Sequence, residues 1–142
     1  MNAAPDSIRT LVDRFDATAF DARKRTLRLR LVVGGEGEWD VLVKDGAAAI
    51  AAAGGRADAV LRADAASWRR IAADLRNGID EFRSGRLSVR ENLHAGVGFL
   101  AATSGATEEG RLRFRSVKTA SARLSIIEAG TGEPVVRVAV AV

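Results

Sequence analysis

Residues 38–46 read Glu-Trp-Asp-Val-Leu-Val-Lys-Asp-Gly, and the fold turns on how they are read. Trp39, Val41 and Val43 recur at every second position, the pattern of a strand with one face turned to a core. Asp45-Gly46 follows at once. A two-residue hairpin turn needs positive φ, which this pair tolerates, so the strand is expected to fold back on a neighbour. Upstream, Leu27, Leu29, Leu31 and Val33 share one face of another half-buried strand, with Arg28 and Arg30 on the other. Downstream, residues 47–53 are alanine apart from Ile50. Alanine prefers helix, but so short a run makes a poor isolated helix and the preceding turn argues for a strand. Gly54-Gly55 ends it, and residues 57–64 supply a fourth strand. The expectation is a four-strand meander.

Helical signals flank it. Ile8, Leu11, Val12 and Phe15 fall at i, i+3, i+4 and i+7, a stripe that continues towards Ala19 and Phe20, with Pro5 and Asp6 at its start. Asp64 caps a second helix whose stripe is Trp68, Ile71, Ala72 and Leu75, ending at Asn77-Gly78. A short helical turn through Phe82 leads to Gly85, a strand over 86–90, and a last helix over 93–105 capped by Asn92. That helix carries two apolar stripes, Leu93-Val97-Leu100 and Ala95-Phe99-Ala102, with Gly96 and Gly98 between them. Each glycine costs ~1 kcal/mol relative to alanine, which makes sense where a backbone or ligand approaches closely. The order of elements implies an α+β layer, a twisted sheet of about five strands covered mainly on one face.

Composition narrows the function. The chain has 142 residues, 47% hydrophobic and 28% charged, enough for one ordinary core and an appendage. No apolar run approaches the ~20 residues that cross a bilayer. Cysteine is absent, which fits a cytoplasmic protein and leaves no disulfide or thiolate metal site. The net charge of +4 is carried between Gly85 and Arg123, where seven basic residues face three acids. Only Phe114 interleaves them, so the aromatic platform of a nucleic-acid interface is missing. His94 is the only histidine and has no evident companions for catalysis or metal binding. No cofactor or metal is expected.

The segments EWDVLVKDG (38–46), ADAVLRADAASWRRIAADLRNG (57–78) and FRSGRLSVRENLHAGVGFLAA (82–102) together resemble the sterol-carrier-protein-type lipid-binding domain. In that family a tryptophan-bearing strand enters an Asp-Gly hairpin, a later helix ends in glycine, and a strand of the form Gly, Lys or Arg, Leu, any residue, Val or Ile precedes a final helix. The resemblance covers residues 5–104. It implies a sterol, fatty acyl chain or similar lipid held in an apolar tunnel between sheet and helices. Trp39, Val41, Trp68, Ile71, Leu75, Phe82, Val97, Phe99 and Leu100 are the implied lining. The alternative at each position is an ordinary packed core.

Beyond residue 104 a polar connector leads into ARLSIIEAGTGEPVV (122–136), which is similar to the start of an α/β-hydrolase domain. The division expected is therefore 1–104 for lipid binding and 105–142 for the connector and first strands of an incomplete hydrolase-like domain. No Gly-x-Ser-x-Gly nucleophile elbow occurs, and His94 lies upstream of where a triad histidine would fall. The chain is expected to be non-catalytic. Two rival readings stay open. One is a regulatory or docking module that pairs with a partner protein, a hydrolase or a second copy through residues 135–142. The other is an N-terminal fragment of an α/β-hydrolase-fold enzyme.

Overall fold

The Asp45-Gly46 turn forms as the sequence predicts, with φ of 52° and 77°. It belongs to a meander of β1 (Thr26–Gly34), β2 (Gly37–Lys44) and β3 (Ala47–Ala52), paired antiparallel in sequence order. The computed structural model describes residues 2–20, 26–74, 76–103 and 113–128. The alanine run is a strand, at the edge of the sheet.

The fourth strand departs from the expected meander. β4 (Ala59–Asp64) lies parallel to β1, with Leu29 opposite Ala59 and Val33 opposite Ala63. β5 (Ser88–Glu91) then pairs antiparallel with β4, and the order becomes β3-β2-β1-β4-β5. A buried charge explains the crossing. Asp40 on β2 is wholly buried and accepts from Arg28 at 2.6 Å, from Arg30 at 2.8 Å and from the Gly54 N–H at 3.0 Å. Arg30 also donates to the Gly55 carbonyl at 3.0 Å. Asp58 completes the fastening, its N–H donating to the Arg28 carbonyl and its carboxylate accepting the Arg28 N–H. Residues 53–58 are thus drawn over β2 and β1 and delivered beside β1. The face marked by Arg28 and Arg30 becomes the floor of a crossover.

α1 (Asp6–Asp13) stops short of the expected Ala19 and Phe20. Asp16 accepts from the Thr18 N–H at 2.9 Å and starts a separate 3-10 turn, Ala17–Ala19, because a short carboxylate competes for backbone donors. Phe15 and Phe20 then meet edge to face, their ring centres 6.3 Å apart. α2 (Ala65–Ala73) starts as predicted, with Asp64 accepting from the Ser67 N–H at 2.6 Å. Its end is earlier than Asn77-Gly78. The chain turns extended at Asp74, and Gly78 lies inside α3 (Arg76–Arg83). Arg14 donates to the Ala72 carbonyl and Asn77 to the Arg70 carbonyl, which gives the last carbonyls of α2 partners at the break.

Asn92 caps α4 (Leu93–Ala102) as expected, accepting from the Ala95 N–H at 3.0 Å. The polar connector is interrupted by a strand: β6 (Arg113–Lys118) pairs antiparallel with β7 (Arg123–Glu128) and runs beside α4. The further strand expected over 135–142 lies outside the described residues. No described helix is long and apolar enough to cross a membrane.

Candidate functional site

The inner face of the sheet is laid out in rows by its register. Ile50, Val41, Leu29 and Ala59 stand side by side across four strands, and Trp39, Leu31, Leu61 and Val89 form the next row. Onto these rows α1 sets Ile8, Leu11 and Val12, α2 sets Trp68 and Ile71, and α4 sets Ala95, Phe99 and Ala102. Full burial of each large side chain is worth about 1.5–3 kcal/mol, so this layer holds the domain together whatever else it does. Both indoles have satisfied polar tips. Trp39 donates to the Asn2 carbonyl at 3.0 Å and Trp68 to the Val32 carbonyl at 2.9 Å, leaving two ring systems as apolar walls.

Of the nine residues expected to line a tunnel, Trp39, Val41, Trp68, Ile71, Phe99 and Leu100 come together in this one layer. Val97 is half-buried on another side of α4. Phe82 is 47% exposed on α3, outside the layer, and Leu75 lies outside the described residues. The two stripes of α4 part only towards its start: Ala95, Phe99 and Ala102 are buried, and so is Leu100 of the other stripe, whereas Leu93 is 53% exposed. Gly96 permits the close approach, because a methyl group there would overlap Cγ1 of Val89 and touch Leu61.

Phe82 is outside because α3 turns its neighbour inward. Glu81 is buried and binds Arg70 at 2.6 Å, Arg86 at 2.6 Å and the Ser67 hydroxyl at 2.8 Å. Arg70 and Arg86, foremost among these, hold its carboxyl down to about 2 against the upward push of burial, and Ser67 adds to the effect. One carboxylate therefore clasps α3 to α2 and to the approach to β5. The sequence reading missed both Glu81 and Asp40. For Asp40 a signal exists, since strand alternation places it on the face of Arg28 and Arg30. For Glu81 no spacing marks it.

A hollow of about 220 Å³ opens at the surface between the starts of α1 and α2 and the end of β1. Pro5, Asp6, Ser7, Glu36 and Arg69 line it with Val33 and Ala65, a mixed polar set that includes none of the nine residues. Among the described residues no three of His, Cys, Asp or Glu converge as a metal set. The described groups thus define an α+β domain with one enclosed apolar layer, its two buried carboxylates engaged by arginines.

No family model matches the sequence, and no curated protein matches it. Among solved structures the chain is similar to the stereoselective inverting sec-alkylsulfatase Pisa1 from Pseudomonas sp., at 15% identity and a TM-score of 0.53. That likeness covers 68% of this chain and 16% of the sulfatase. A double mutant of the same enzyme gives 16% identity and a TM-score of 0.56 over 74% of this chain and 17% of that one. The UbiJ-SCP2 ubiquinone synthesis protein gives 19% identity and a TM-score of 0.48 over 70% of this chain and 79% of that one. What this chain shares with the sulfatase is a fold, confined to a small segment of a much longer protein.

Proposed function

We propose that the domain is a non-catalytic carrier that holds a fatty acyl chain or sterol-like lipid between the inner face of the sheet and its helices. One observation carries this reading. Six of the residues that the sterol-carrier resemblance implies as lining sit in one continuous apolar layer, from Trp39 on β2 through Trp68 on α2 to Phe99 on α4. Sites of this kind are mostly apolar and measure about 300–1,000 Å³, so a guest of that size must part the layer. The break between α2 and α3 is the place to part it, since Glu81 fastens α3 there by ionic hydrogen bonds that can be remade. The ten residues of α4 include no aspartate, glutamate, lysine or arginine, and they offer the guest an apolar roof.

Trp39 and Trp68 are the only tryptophans, so their emission reports entry directly. Titration with fatty acyl and sterol probes is expected to shift that emission and raise Tm, by about 2.7 kcal/mol of added stability at a hundredfold excess over Kd. Probes that change neither would overturn the proposal.

A second reading is favoured by β3. This edge strand is six uncharged residues without the lysine, proline or bulge that usually blunts a sheet edge. It offers a site where an apolar strand such as residues 135–142 of a second copy can add.

A further inference from the structure

The outer face of the sheet, away from the helices, carries positive charge that the fold leaves unused on one side. Over β1 and β2 that charge is answered, since Arg28 and Arg30 share Asp40 and Glu38 stands opposite Val32 nearby. Over β4 and β5 it is not. Arg62 stands opposite Val32 on β1 and Ser88 on β5, while Arg90 stands opposite Val60. The two arginines are thus diagonal neighbours across one strand pair, about 7–8 Å apart by that geometry. Both are exposed, and neither has a hydrogen-bond or ion-pair partner among the described residues. Like charges at such spacing are mildly unfavourable, so the pair contributes nothing to the fold. Arg56, exposed on the crossover over this face, adds a third cation, and half-buried Val60 lies between the strand arginines.

We infer that this outer face docks the domain on an anionic bilayer surface, an inference that rests on the lipid-carriage reading and adds the surface at which the carrier is held. Charge complementarity to a plane is the argument. Among the described residues the β4–β5 part of that face lies exposed beside the crossover, and a lipid surface accepts such a strip without needing a groove. Each arginine near an anionic leaflet contributes about 1 kcal/mol. A nucleic acid would call for stacking aromatics, and the outer positions of all five strands hold none. Docking by this face leaves the helix side, with the α2–α3 break, free to open.

The test is co-sedimentation of the full chain with phosphatidylcholine vesicles and with mixed phosphatidylcholine–phosphatidylglycerol vesicles. Binding is expected only to the mixed vesicles, lost at high salt, and weakened roughly twentyfold or more by Arg62→Glu with Arg90→Glu. Arg62→Gln with Arg90→Gln should weaken it less, and Arg69→Glu with Arg83→Glu, on α2 and α3, should leave it unchanged. Equal binding to both vesicle types, no binding, or full binding by the Arg62→Glu, Arg90→Glu chain would overturn the inference. So would tighter binding to DNA through the same two arginines. Lipid uptake read by tryptophan emission is a separate arm. Uptake without charge-dependent vesicle binding overturns docking alone, whereas vesicle binding without uptake overturns carriage and leaves the docking face standing.

Discussion

Asp40 and Glu81 tie the stability of this chain to acid pH. Burial alone would raise the Asp40 carboxyl, but hydrogen bonds from Arg30, Arg28 and the Gly54 N–H outweigh it and leave it below its ordinary 3.8. Glu81, gripped chiefly by Arg70 and Arg86, falls from an ordinary 4.5 to about 2. A value depressed on folding means that the unfolded chain takes up protons first. The stabilisation is therefore complete above the unfolded values and is lost as pH falls through them towards the folded ones. Tm is expected to hold steady from pH 7 to about 5 and to drop between about 4.5 and 2. Glu81→Gln should lower Tm at neutral pH and flatten that drop, because the group that titrates is gone. Asp40→Asn should cost roughly 2–4 kcal/mol at neutral pH, since two arginines then share a site without its charge. Thermal melts across this range decide it. A Glu81→Gln chain with the same acid profile as the parent would refute the role given to the clasp.

At the scale of elements, the seat of α4 on the sheet is fixed by one missing methyl. Gly96→Ala gains up to about 1 kcal/mol of helix propensity, but the new methyl runs into Cγ1 of Val89, and overpacking of this kind costs about 1–3 kcal/mol. A net loss of about 1–2 kcal/mol is expected in the parent, turning neutral or stabilising once Val89→Ala removes the obstacle. Urea denaturation of the four chains measures this, and strictly additive effects would show that Val89 does not set the approach. Such elements are legible from sequence where local rules fix them: Asp45-Gly46 makes the turn, and Asp64 and Asn92 cap the helices predicted after them. Partners distant in sequence are not legible. β4 returns beside β1 because Asp40 receives the Gly54 N–H, and α2 meets an arginine at its end that comes from 58 residues away. The apolar layer divides in the same way. Period places Trp39, Val41, Trp68, Ile71, Phe99 and Leu100 on buried faces, but it cannot tell that α3 turns Glu81 inward and leaves Phe82 exposed.

For the whole molecule, the two ends of the sheet are unequal. The β5 edge carries Arg90 and Glu91, charges that discourage strand addition, whereas β3 carries none. The sequence also holds a segment whose pattern suits that edge. Val136, Val138, Val140 and Val142 alternate with Arg137, Ala139 and Ala141, apolar on both faces with a single charge. If this segment adds to β3 of another copy, association must follow the segment and not the domain. The full chain is then expected to form concentration-dependent dimers or larger species, and a chain ending at Glu128 to stay monomeric with nearly the same Tm. Cutting further back tests something different. β6 runs beside α4 and the 3-10 turn, so a chain ending near residue 105 loses that cover and should melt lower. It should still melt cooperatively, because the five-stranded sheet, α1, α2 and α4 all lie before residue 104. Light scattering and thermal melting of the three chains separate these effects. The same association state with and without residues 129–142 would sink the strand-addition reading, and a melt without cooperativity in the shortest chain would place the β6–β7 hairpin inside the folding unit.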